Sequence, residues 1–90
     1  MAVIRIPNAL RSYVNGQLEI WVQGATAGAA LEDLLEKFPA FRPHICKEDG
    51  SPRAFVNLFL DGTNIKDLQG LETPIGIEDT LTLVPAIAGG

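Results

Sequence analysis

One stretch of this chain carries a helical period, and segments that alternate flank it on both sides. Leu31, Leu34, Leu35 and Phe38 fall at i, i+3, i+4 and i+7, while Glu32, Asp33, Glu36 and Lys37 take the other side. Thr26 is the expected N-cap, Ala27, Ala29 and Ala30 favour helix, Gly28 weakens the first turn, and Pro39 ends the element. Before it, Val3 to Ile6 alternates, with Val3 and Arg5 on one face and Ile4 and Ile6 on the other, and stops at Pro7-Asn8. Leu18 to Val22 alternates again after Asn15-Gly16, which predicts Leu18, Ile20 and Val22 inward and Glu19 and Trp21 outward. After the helix, Phe55 to Leu60 runs into the turn signal Asp61-Gly62, and Asn64-Ile65-Lys66 reads as a short return strand. Leu81 to Val84 is the final strand, entered through Glu78-Asp79. One helix can cover only one face of such a sheet, so the class is α+β.

The remaining stretches read as connections. Pro39 to Arg53 holds three prolines, Gly50 and mixed charges, with room for at most one short turn of helix. Leu68 to Ile77, with Gly70, Pro74 and Gly76, reads as a loop. The order strand, strand, helix, strand, short strand, strand is that of the β-grasp (ubiquitin-like) fold, a mixed sheet of four to five strands with one main helix packed on one face. In that fold the first and last strands pair in parallel at the centre. The expected organisation is therefore a β-grasp domain over residues 1–85 and a flexible C-terminal Gly-Gly tail over residues 86–90.

Ninety residues with 47% hydrophobic content suit one small domain. The lone cysteine excludes an internal disulfide, and the start Met1-Ala2-Val3-Ile4-Arg5 has no signal-like apolar region, so a cytoplasmic location is expected, with no membrane partner. A net charge of −4 and scattered basic residues argue against nucleic acid. An acidic chain suits a basic partner surface instead.

Side-chain chemistry is sparse. His44 and Cys46 lie two apart without further ligands or a base nearby, which predicts neither a metal site nor a catalytic residue. Glu32, Asp33 and Glu36 read as a solvated helix face, and Arg11 and Arg53 read either as anchors to a partner or, the reading with more weight, as residues that keep loops soluble. The distinctive feature is the ending Pro85-Ala86-Ile87-Ala88-Gly89-Gly90. Residues without a Cβ make a thin chain, unrestricted in φ, that threads a narrow channel and presents its carboxylate to another protein's active site. The expected chemistry is done to the backbone, with the doublet standing last in the chain.

That ending, the Thr26 helix start, and the stretch from Phe55-Val56-Asn57 through Asp61-Gly62 to Gly70-Leu71 and Thr73 resemble the ubiquitin-like sulfur carriers. These include the small subunit of molybdopterin synthase, the thiamine sulfur carrier and the carrier used by an actinobacterial cysteine synthase. Ile6-Pro7 and Leu10-Arg11 also look like the family's opening. The ending Pro-Ala-x-Ala-Gly-Gly is most similar to the cysteine-biosynthesis carrier. The resemblance implies that an adenylating enzyme, which binds the ATP, activates the Gly90 carboxylate, that a sulfur donor converts it to a thiocarboxylate, and that Gly89 and Ala88 thread the partner's channel. The chain itself would be no enzyme and hold no cofactor. A sulfur-accepting enzyme, such as a cysteine synthase or a molybdopterin synthase large subunit, would be the second partner.

The alternation places Phe55, Asn57 and Phe59 on the face away from the helix, with Thr82 and Val84 beside them. Asn57, Phe59, Thr82 and Val84 form the expected docking patch near the tail. The reverse register, or a loop over Phe59, would hide it. Cysteine biosynthesis and molybdopterin synthesis share the carrier chemistry. A lysine-attached protein modifier and a plain interaction domain are the alternatives from other classes.

Overall fold

A computed structural model describes residues 1–45 and 56–85 of the chain. Five strands form one sheet in the order β2-β1-β5-β3-β4. β1 (Ala2–Arg5) and β5 (Thr80–Pro85) run in parallel at its centre, with Val3 opposite Thr80 and Arg5 opposite Thr82. β2 (Glu19–Val22) pairs antiparallel with β1, and β3 (Val56–Leu60) pairs antiparallel with β5. The turn between β3 and β4 (Thr63–Asn64) holds Asp61 at φ 51° and Gly62 at φ 84°, the paired left-handed residues of a tight hairpin.

The amphipathic stretch is α1 (Ala27–Lys37). The Thr26 hydroxyl accepts from the Ala29 backbone N–H at 3.1 Å, closing one of the open donors of the first turn. Ala27, Ala30, Leu31, Leu34 and Leu35 are buried, and Phe38 packs against the same core. Opposite them lie Ala2 and Ile4 from β1 with Ile6 just after it, Ile20 and Val22 from β2, and Leu58, Leu81 and Leu83 from the other half of the sheet. The faces read from alternation hold for these strands. β1 begins and ends one residue earlier than the pattern suggests.

Leu18 departs from the reading, for it is 57% exposed. It precedes β2, whose far end is the part that α1 lines: Lys37 reaches the carbonyl of Trp21, and Asp33 accepts from the Gln23 N–H. The helix stops after Lys37, so Leu18 lies beyond its cover. The return strand is also shorter than expected. Asn64 Oδ1 accepts from the Lys66 N–H at 2.9 Å, and this cap turns Ile65–Asp67 into a 3-10 helix.

Two connections contribute core. Asn8–Val14 is a 3-10 helix that buries Val14 and packs Leu10 and Tyr13 on the core. Pro39–Phe41, also 3-10, leads directly into α2 (Arg42–Ile45), and Phe41 and Ile45 are fully buried. Both prolines of this segment stand in a first turn, where a missing N–H costs no hydrogen bond. Residues 46–53 of the expected connection lie outside the described residues, as does Phe55. The expected loop at Leu68–Ile77 contains a further 3-10 turn, Gly70–Glu72, and its Thr73 is buried. Its backbone holds the start of α1: Ala27 N–H donates to the Thr73 carbonyl and Ile75 N–H to that of Ala25.

Candidate functional site

β5 sits between β1 and β3, hydrogen-bonded on both sides, and ends at Pro85. The last residue of β5 is therefore carried by the middle of the sheet. Ala88, Gly89 and Gly90 lie outside the described residues.

Pairing fixes which side chains surround that exit. Asn57 is opposite Val84, and Phe59 is opposite Thr82 on one side and Asn64 on the other. Leu58, Leu81 and Leu83 are buried in the core that α1 also lines, so alternation puts Asn57, Phe59, Thr82 and Val84 together on the other face. Val84 is exposed, at 39%, while Phe59, Asn57 and Thr82 are half-buried. Asn57 is held in place, since its Oδ1 accepts from Asn64 Nδ2 at 3.1 Å. The patch is a mixed surface, with an aromatic ring and a valine between two hydrogen-bonding side chains.

Beside it lies a feature that composition did not reveal. Arg5 is opposite Thr82 across the parallel ladder, and Arg11 lies with it along a cleft of about 230 Å³ that Thr82 and Val84 also line. Arg11 is more than a solubilising residue, because its Nε donates to the Ile6 carbonyl at 3.0 Å and Nη1 reaches Asn8 Oδ1 at 3.4 Å. The likeness of Leu10-Arg11 to the family's opening marked the residue, while its bond to Ile6 has meaning only once the Asn8–Val14 turn is known. Arg53 lies outside the described residues, as does Cys46, and the His44 side chain is not described either.

The acidic face of α1 has a structural use. Glu32 pairs with Arg42 at 2.8 Å, and Asp33 pairs with Lys37 at 3.0 Å while accepting from the Gln23 N–H at 2.9 Å. The Gln23 hydrogen bond foremost, and then Lys37, hold the Asp33 carboxyl below its ordinary pKa. A depressed folded-state pKa means that this stabilisation is complete above the unfolded value, near 4, and is lost as pH falls through the folded one. Asp33→Asn is accordingly expected to cost about 0.5–1 kcal/mol at neutral pH and almost nothing in acid. Urea titrations of both proteins across pH 2–7 check this, and a pH-independent difference would contradict it.

The chain's relatives share this architecture. The ThiS family matches residues 4–90. The sulfur carrier protein CysO of Mycobacterium tuberculosis is 30% identical over 89 residues, which cover 97% of this chain and 96% of that protein. Among solved structures, that of the Amycolatopsis orientalis BexX/CysO complex is similar with a TM-score of 0.88 and 28% identity, covering both chains completely. The small archaeal modifier protein 1 of Methanosarcina acetivorans is similar with a TM-score of 0.89 and 25% identity, covering 99% of this chain and 95% of that one. Match, sheet order and the position of β5 agree, and the chain belongs to the ThiS family of β-grasp proteins.

Proposed function

We propose that this protein is a sulfur carrier whose Gly90 carboxylate is converted to a thiocarboxylate, and that it serves cysteine biosynthesis. The observation that carries the reading is the similarity to CysO along nearly the whole of both chains, within a family match that runs through the Gly89-Gly90 doublet.

The chemistry follows from the weakness of a carboxylate as an acyl donor. An adenylating partner supplies ATP; a Gly90 carboxylate oxygen attacks the α-phosphorus and pyrophosphate leaves. The acyl adenylate then has a good leaving group, and a sulfur nucleophile from a donor displaces AMP. The thiocarboxylate sulfur is nucleophilic and is delivered into a sulfur-accepting enzyme. The side chains of this protein supply binding, with Phe59, Val84, Asn57 and Thr82 as the docking patch beside the end of β5. Ala88 and Gly89 pass through the partner's channel. As a co-substrate the protein turns over between an activating and an accepting enzyme. Among the described residues no helix is long and apolar enough to cross a membrane.

The similarity to an archaeal modifier protein also fits a second reading, attachment of Gly90 to lysines. Both readings begin with adenylation and differ in product. The deciding experiment is the intact mass of the protein isolated from its host, with fragmentation to place any change. Replacement of one Gly90 oxygen by sulfur is expected. Isopeptide-linked species on lysines without any thiocarboxylate would overturn the carrier reading. The pathway is then tested by asking which acceptor consumes the thiocarboxylate, a pyridoxal-phosphate cysteine synthase or a molybdopterin synthase large subunit; consumption by the latter alone would overturn the cysteine assignment.

A further inference from the structure

We propose that the cleft formed by Arg5 and Arg11 at the end of β5 receives a carboxylate side chain of the adenylating partner, fixing the carrier's orientation as the tail enters that enzyme. The proposal rests on the carrier reading and adds to it a contact of definite chemistry.

The net charge points the other way, for an acidic protein is expected to meet a basic surface. Charge is not spread evenly, however. Glu32, Asp33 and Glu36 line a depression on the α1 side of the molecule, where Arg42 and Lys37 pair with the first two, whereas among the described residues the lining of the cleft at the end of β5 holds two arginines, with Glu19 reaching Arg5 at 3.6 Å from outside that lining. The surface that must approach the partner's active site is thus locally cationic. A partner reading only the net charge would be drawn to the wrong side.

Geometry makes this cleft more than a chance pair of cations. Arg11 is half-buried, and its Nε bond to the Ile6 carbonyl fixes the plane of its guanidinium. An arginine offers five N–H donors; the bonds to Ile6 and Asn8 engage two of its three nitrogens, so donor capacity remains for a carboxylate. Little side-chain entropy is left to lose on binding, the condition under which an ionic contact contributes net affinity. Arg5 lies two strands from the opposite edge of the patch, and among the described residues its ion pair is a loose one, to Glu19 at 3.6 Å with both side chains more than half exposed. Such a pair is worth little and gives way readily to a better acceptor. Thr82 and Val84 belong both to this cleft and to the docking patch, so one bound surface covers the two together.

The test compares wild-type protein, Arg5→Gln, Arg11→Gln and the double variant as substrates of the host's adenylating enzyme, by ATP–pyrophosphate exchange at varied carrier concentration. The double variant is expected to raise KM for the carrier by about ten- to a hundredfold, as for loss of charge-assisted hydrogen bonds, with little change in kcat. Added salt is expected to raise the wild-type KM and to affect the double variant much less. Thermal melts show whether Arg11→Gln still folds; should it not, Arg5→Gln carries the test, because its exposed side chain supports no core contact. An unchanged carrier KM overturns the proposal and leaves the carrier reading standing. A rise in KM for ATP with that for the carrier unchanged overturns it too, since the anion would then be the nucleotide's phosphate. No exchange with wild-type protein overturns the carrier reading and this contact with it.

Discussion

A Gly89→Val chain is expected to melt like the parent and yet to lose about a hundredfold or more of its rate of adenylation and sulfur transfer, the scale of loss seen when a reacting group is held away from its attack position. Position 89 lies beyond β5, which ends at Pro85, and every core residue named above comes from the chain before it. The effect comes from the channel. A β-branched side chain widens the strand of atoms that must pass and confines φ to the extended and helical regions, whereas glycine adopts whatever path the partner imposes. Gly89→Ala, which adds one methyl group, is expected to fall between the two. Single-turnover formation of the acyl adenylate, followed by mass, separates entry from the later sulfur step. If Gly89→Val were adenylated at the parental rate, the tail would be reacting outside any narrow channel, and the threading role of Gly89 would fall with it.

The second large effect is on stability. Gly24 precedes α1 with φ at 155°, and a Cβ there would stand 2.6 Å from the Ala30 nitrogen and 2.8 Å from the Ala29 carbonyl carbon. Those are backbone atoms of a helix anchored on the core by Ala30 and Leu31, so the neighbours cannot move aside cheaply. Strained φ and a backbone clash act together, and Gly24→Ala is expected to cost about 3 kcal/mol or more. For a domain of this size that lowers Tm by roughly 12–24 °C. Gly76→Ala serves as the control, because the nearest atom to its Cβ is Asp79 Oδ2 at an ordinary 3.5 Å. A Gly24→Ala melt as close to wild type as that of Gly76→Ala would mean that the turn into α1 is far softer than its packing indicates.

Most of the scaffold was legible because local and tertiary preferences agree. Thr26, the Leu31-Leu34-Leu35 stripe and Pro39 mark a helix by independent signals, and Asp61-Gly62 marks a hairpin whose φ values only such residues adopt easily. Strand faces followed from alternation, because one side of the sheet is buried while the described residues on the other are exposed or half-buried. What escaped was set by contacts between segments distant in sequence or by turns too short to show a period. Leu10, Tyr13 and Val14 have helical spacing, but over a single turn that is weak evidence, and Phe41 and Ile45 are concealed among three prolines in a segment that reads as loop. Leu18 obeyed the alternation and is exposed all the same, since alternation cannot say where a helix stops covering a strand. Asn57, Phe59, Thr82 and Val84 could be placed on one face from pattern alone, while the Arg5–Arg11 cleft needed the parallel register that brings residue 5 beside residue 82.

The same register has a consequence for synthesis. Val3 meets Thr80, and Arg5 meets Thr82, so the central ladder joins residues nearly a full chain apart. Such pairing has high contact order and must wait until the distant partner is available. While the chain grows on the ribosome, β1 has no parallel neighbour, and β3 lacks the central strand it shares with β1, until β5 has emerged. A nascent or truncated product ending before residue 80 is left with a gap at the middle of its sheet, and the cell's proteases meet it as an unfolded chain. Quality control is thereby built into the topology: a copy that folds is one that has already made the strand from which its reactive end departs.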